Sequence, residues 1–208
     1  MKSYKQVVTP LECEISIKKS KFITNLIPIE NSEQAEQELL KIRKKYSDAT
    51  HNCYAYISNI IATEQRFSDD GEPQGTAGIP MLEVIKKREV YLTLCVVTRY
   101  FGGVKLGANG LISAYTDSVS LALEKADLRT FVFSLIKRAE VAYSQAPKIS
   151  QMIMDNCGRV LKTDYDSTVT IEYAVQEENS QLLDNKMIDF CAGKIKIEFI
   201  KKDFVDYI

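Results

Sequence analysis

The chain has 208 residues, with 27 Lys and Arg against 28 Asp and Glu, a net charge of −1 and 45% hydrophobic residues. That length fits one large domain or two small ones, and the even charge excludes a general nucleic-acid coating protein, which needs a basic excess, while leaving a local RNA or ribosome contact open. MKSYKQVVTPLECEISI lacks the apolar core of a signal peptide, no apolar run approaches the roughly 20 residues that span a bilayer, and the five cysteines (Cys13, Cys53, Cys95, Cys157, Cys191) include no CxxC pair, so the expectation is a cytoplasmic protein with free thiols and no membrane contact.

Leu11, Cys13, Ile15 and Ile17 alternate with polar residues, the period of a half-buried strand, and Phe22–Ile29 reads as a second strand after a turn near Lys19–Ser20. Asn31 or Ser32 can cap a helix carrying Ala35, Leu39, Ile42 and Tyr46 on one stripe. His51–Ile57 is a strand, and Glu64–Ser68 leads into an acidic loop. Gly78-Ile79-Pro80 opens a short helix through Lys87. Val90–Tyr100 is a β-branched apolar run expected to be a central strand covered on both faces, ended by Gly102–Gly103. A helix is predicted from Asn109 to about Lys125. The register changes near Asp127–Thr130. The rest reads strand (131–141), helix (145–156, with Ser144 as a cap), strand (159–165), strand (168–176), helix (179–192) and strand (194–204), with Gly193 where a helix end wants a left-handed residue. The order β-α-β-β-α-β is the ferredoxin-like split unit. The expected fold class is α+β in two domains, residues 1–128 and 131–208.

Two stretches carry unusual chemistry. Asp69-Asp70-Gly71-Glu72-Pro73 sets three carboxylates close together, which suits a hard cation such as Mg²⁺ or, without one, a solvated turn. Arg99-Tyr100-Phe101-Gly102-Gly103-Val104-Lys105-Leu106-Gly107-Ala108-Asn109-Gly110 runs from a strand through a glycine-rich loop into a helix N-terminus, where backbone amides and the helix dipole favour an anion. The candidate anion-binding residues are Arg99, Tyr100, Gly102, Gly103, Lys105, Gly107, Asn109 and Gly110. The loop is neither a Walker A sequence nor a spaced dinucleotide fingerprint. His51, the single histidine, joins Asp69, Asp70, Glu72 and Thr76 as a candidate polar cluster, with Asp69, Asp70 and Glu72 as candidate Mg²⁺ ligands.

Lys19-Ser20-Lys21-Phe22-Ile23, His51-Asn52-Cys53-Tyr54-Ala55, Phe67 through Gly78, and Thr98 through Gly103 with Gly107 and Gly110-Leu111 closely resemble the IMPACT family, in its bacterial YigZ-type branch, over residues 19–115. The resemblance implies a first domain with the fold shared by elongation factor G domain IV and the GHMP kinases, and a ferredoxin-like second domain as in elongation factor G domain V. It implies a translation-linked regulatory protein contacting RNA, the ribosome or a translation factor. The family's eukaryotic members restrain a starvation-activated kinase that phosphorylates a translation initiation factor. The alternative is a Mg²⁺-dependent enzyme acting on a nucleotide or phosphorylated small molecule, with the acidic loop holding the metal and the glycine loop cradling phosphate.

Overall fold

A computed structural model describes residues 2–207. The protein is mixed α/β, with ten strands and five helices among the described residues, in two compact units, Ser3–Thr130 and, from Phe131 on, the second, which also takes in Lys2.

In the first unit a five-stranded antiparallel sheet has the order β2 (Leu11–Ile17), β3 (Ser20–Pro28), β6 (Thr93–Tyr100), β4 (His51–Ile57), β5 (Gln65–Ser68). Strand β6 is central, pairing β3 on one side and β4 on the other. Its pleat sends alternate side chains to opposite faces. Leu94 and Val96 meet Ala35, Leu39 and Ile42 of α1 (Ser32–Lys45). The opposite face is covered by α2 (Gly78–Lys87) and α3 (Gly107–Lys125). Asn31 caps α1 by accepting from the Gln34 amide (2.9 Å), while Gln34 Oε1 accepts from the Glu30 amide (2.7 Å). Exchanged bonds of this kind satisfy donors that a bare helix start leaves open.

Strand β6 starts at Thr93, not Val90. Leu92 takes a left-handed φ of +51°, and Val90 instead pairs in parallel with β1 (Ser3–Val7), whose Lys5 amide donates to the Glu89 carbonyl. The sequence signal missed β1, because its buried residues are only Tyr4 and Val7. Helix α3 begins at Gly107 rather than Asn109, with Leu106 at the cap position.

Strand β7 (Leu128–Val141) runs across the division of the chain. In the second unit β7 pairs β10 (Lys196–Asp206) on one edge and β9 (Val169–Val175) on the other, and β9 pairs β8 (Arg159–Tyr165), all antiparallel. Helices α4 (Ala146–Asp155) and α5 (Glu177–Phe190) close one face over Ala139, Val141, Ile149, Ile153, Ile171, Tyr173, Leu183 and Met187. Gln145, not Ser144, holds the cap position of α4 and contributes no side-chain bond. Gly193 adopts φ +77° and donates to the Ile188 carbonyl (2.9 Å), which satisfies an end carbonyl of α5.

Candidate functional site

The acidic loop is tied down from within. Asp70 (φ +44°) and Gly71 (φ +88°) form a tight turn closed by the Glu72 amide on the Asp69 carbonyl (2.9 Å). The Asp69 carboxylate accepts from the amides of Gly75 (2.8 Å), Ala77 (3.0 Å) and Gly78 (2.8 Å), so it supplies the acceptor that Ala77 cannot give at the start of α2. Asp70 accepts from the Asn52 amide (2.6 Å) and from Arg43 (3.1 Å). Thr76 donates to the Pro73 carbonyl (2.6 Å). Of the expected Mg²⁺ set, neighbours in sequence, the Asp69, Asp70 and Glu72 carboxylates are aimed at three different partners. Among the described residues no group of three or more His, Cys, Asp or Glu is arranged to hold a metal.

Glu72 turns inward instead. The residue is 8% exposed, and its carboxylate accepts from Arg99 Nη1 (2.6 Å) and the Tyr115 hydroxyl (2.8 Å) at Oε1, while Oε2 lies 3.8 Å from His51 Nε2. The other ring nitrogen of His51 lies 2.8 Å from the Asp70 carbonyl, which orients the imidazole. The Cys53 thiol donates toward the Asp69 carbonyl (2.9 Å) and the Tyr115 hydroxyl oxygen (3.3 Å). Burial pushes this thiol up to about 12 and also raises the Tyr115 phenol, which favours the protonated form of both at neutral pH.

Arg99 is 5% exposed. Its Nη2 donates to Ser20 Oγ (3.3 Å), and its guanidinium lies 5.5 Å from the ring centroids of both Phe22 and Phe101. Its Nε is buried without a hydrogen-bond partner. A buried donor in that condition costs about 1–3 kcal/mol.

Arg99 lines a cavity of about 360 Å³ together with Glu72, Pro73, Phe101, the run 105–108 and Leu111. The acidic loop and the glycine loop thus meet, through Glu72 and Arg99. At the cavity α3 begins with no side-chain cap and no acidic residue in its first turn, which leaves its leading amides and the positive end of its dipole available to an anion. Lys105 is exposed and, among the described residues, makes no ion pair. Gly107 takes φ +73° with nothing within 4 Å of where a Cβ would stand, so a ligand can reach the backbone there.

Of the residues singled out as anion-binding, Arg99, Lys105 and Gly107 line this cavity. Tyr100 does not: the strand pleat sends it to the opposite face, where its hydroxyl donates to Asp48 (2.8 Å). Gly102 lies against the β2–β3 turn and donates its amide to Ser20 Oγ (3.2 Å). Gly103, Asn109 and Gly110 are outside the lining. Of the polar cluster, His51 and Glu72 join Arg99, whereas Asp69, Asp70 and Thr76 build the loop.

Sequence reasoning missed Ser20, Phe22, Phe101 and Tyr115 as members of the site. For Tyr115 a signal existed: a tyrosine on the buried stripe of an amphipathic helix needs a partner for its hydroxyl. Ser20 gave none, since it reaches Arg99 only through the β3–β6 pairing.

In fold and site, the molecule is a two-unit α/β protein in which a buried arginine–glutamate pair lies under a glycine-rich helix entry. The Impact N-terminal domain family matches residues 18–123, and Domain of unknown function (DUF1949) matches residues 140–194. "IMPACT family member YvyE" of Bacillus subtilis (strain 168) is 39% identical over 196 residues, covering 94% of this chain and 90% of the relative. "IMPACT family member YigZ" of Escherichia coli (strain K12) is 31% identical, covering 97% of this chain and all of the relative (100%). A solved structure titled "Crystal structure of an hypothetical protein" matches with a TM-score of 0.61 and 30% identity over 97% of this chain and 98% of that one. The chain belongs to the IMPACT family.

Proposed function

We propose that the protein is a translation-linked regulator whose first unit holds a phosphate of RNA in the cavity beside Arg99. The observation that carries this reading is a cavity that sets Lys105 and the uncapped start of α3 beside the buried Arg99. Lys105 and the leading amides of α3 meet there, and the carboxylate of the lining, Glu72, already accepts from Arg99 and Tyr115. Glu72 is in the lining, but its charge is matched by Arg99 at 2.6 Å, so Lys105 and the helix end decide the sign that a ligand meets. Lys18 and Lys19, exposed at the β2–β3 turn that backs Gly102, add basic charge beside the glycine loop. Membership of the IMPACT family supports the link to translation. A single small basic site also agrees with a net charge of −1, which cannot coat nucleic acid broadly.

Fluorescence anisotropy of a labelled single-stranded RNA, titrated with protein at several salt concentrations, tests this. Lys105→Ala should weaken binding and lower the slope of log K against log salt by about 0.7, the share of one phosphate contact on a single strand. Equal binding by wild type and Lys105→Glu, or no binding by wild type at low salt, would refute it.

A further inference from the structure

We infer that the cavity accepts one unstacked nucleotide, with its base laid against Phe101 and its phosphate at Lys105 and the start of α3; this rests on the RNA reading above. The walls are the reason. A site for phosphate alone needs charge and amides, yet Pro73, Phe101, Leu106, Ala108 and Leu111 make much of this lining apolar. Apolar walls with a few convergent donors suit a ligand that has both a flat apolar part and an anionic part. Phe101 is 46% exposed although it sits beside a buried guanidinium. Its position is set by its own amide, which donates to Thr50 Oγ1 (3.0 Å). A ring with Arg99 against it and solvent around it is a stacking platform, and a stacked base prolongs the pile that Phe22, Arg99 and Phe101 begin. The volume of about 360 Å³ is near the lower end for small-ligand cavities and holds one nucleotide rather than a duplex segment. Single strands offer unstacked bases, and paired RNA does not.

The test compares a labelled single-stranded RNA oligonucleotide with an abasic ribose-phosphate oligomer of equal length, bound by wild type, Phe101→Ala, Phe101→Tyr and Lys105→Ala. Phe101 is half-exposed, and the melting temperature of each variant checks its folding. Wild type should bind the base-bearing strand about tenfold more tightly than the abasic one, the share expected of one stacked base. Phe101→Ala should bind both equally, Phe101→Tyr should restore the preference, and Lys105→Ala should weaken both while keeping their ratio. If Phe101→Ala keeps the preference, or wild type has none while Lys105→Ala still weakens binding, the nucleotide inference falls and the phosphate reading stands. If Lys105→Ala changes nothing, or neither strand binds, the phosphate reading falls and takes the inference with it.

Discussion

The carbonyl carbon of Lys19 fills the space where a side chain at Gly102 would begin: a Cβ built on Gly102 would stand 2.0 Å from it and 2.5 Å from the Ser20 nitrogen. The obstructing atoms are backbone, so no rotamer change relieves the clash. The β2–β3 turn and the glycine loop are thereby held in contact, and the Ser20 hydroxyl bonds both Arg99 Nη2 and the Gly102 amide across it. Gly102→Ala should destabilise the first unit by about 3 kcal/mol, the upper end of overpacking costs, measured as a lowered urea midpoint at an unchanged slope.

Lys18 and Lys19 connect β2 to β3 as a two-residue turn with φ of +45° and +68°. Two positive φ values in such a turn suit Asn-Gly, and lysines there carry a backbone cost. Replacing the pair by Asn-Gly should raise stability by about 1 kcal/mol and, through the lost charges, weaken RNA binding. A double variant that binds RNA as wild type does would remove the turn from the proposed binding face.

Arg99 and Glu72 are both almost wholly buried and 2.6 Å apart. Removing one partner strands the other charge in a poorly solvated place. Glu72→Ala should cost about 3–5 kcal/mol. Tyr115→Phe, which removes one donor and leaves the ion pair, should cost about 1–2 kcal/mol. Chemical denaturation of the two variants and their combination yields the coupling, and an additive double variant would mean that the hydroxyl and the ion pair act independently.

Alkaline pH should unfold the protein through its buried acids. Burial raises the Cys53 thiol from 9.0 to about 12 and lifts Tyr115 and Cys95 in the same direction. A thiol that holds its proton more tightly when folded contributes stability that is full below the unfolded value and is lost as pH rises through the folded one. Stability should fall between about pH 9 and 12, and Cys53→Ala should flatten part of that slope. Alkylation at neutral pH should mark exposed Cys157 first and leave Cys53 and Cys95 intact until the chain unfolds.

Much of the architecture was legible because it is local. Period-two alternation marks β2 and β9, helical spacing marks α1 and α5, and Asn31 and Gly193 sit where helix ends need an acceptor and a left-handed residue. The order of elements in the second unit follows from that punctuation alone. Strand β1 escaped because a short strand with two buried residues has no period to read.

The site was legible only in part, and Tyr100 shows why. Arg99 and Tyr100 are adjacent, and a strand must send them to opposite faces, but only the covering helices decide which face holds the cavity. The acidic loop shows the converse. Three carboxylates that look like one group are separated because Asp69 closes its own loop, Asp70 bonds β4, and Glu72 finds Arg99. By itself the sequence determined the elements, their ends and the two stretches of unusual chemistry, since these depend on neighbours a few bonds away. Only the tertiary structure brought Ser20, His51, Glu72, Arg99 and Tyr115 together and left one guanidinium donor unmatched, because strand pairing and the helix cover join residues that no local pattern connects.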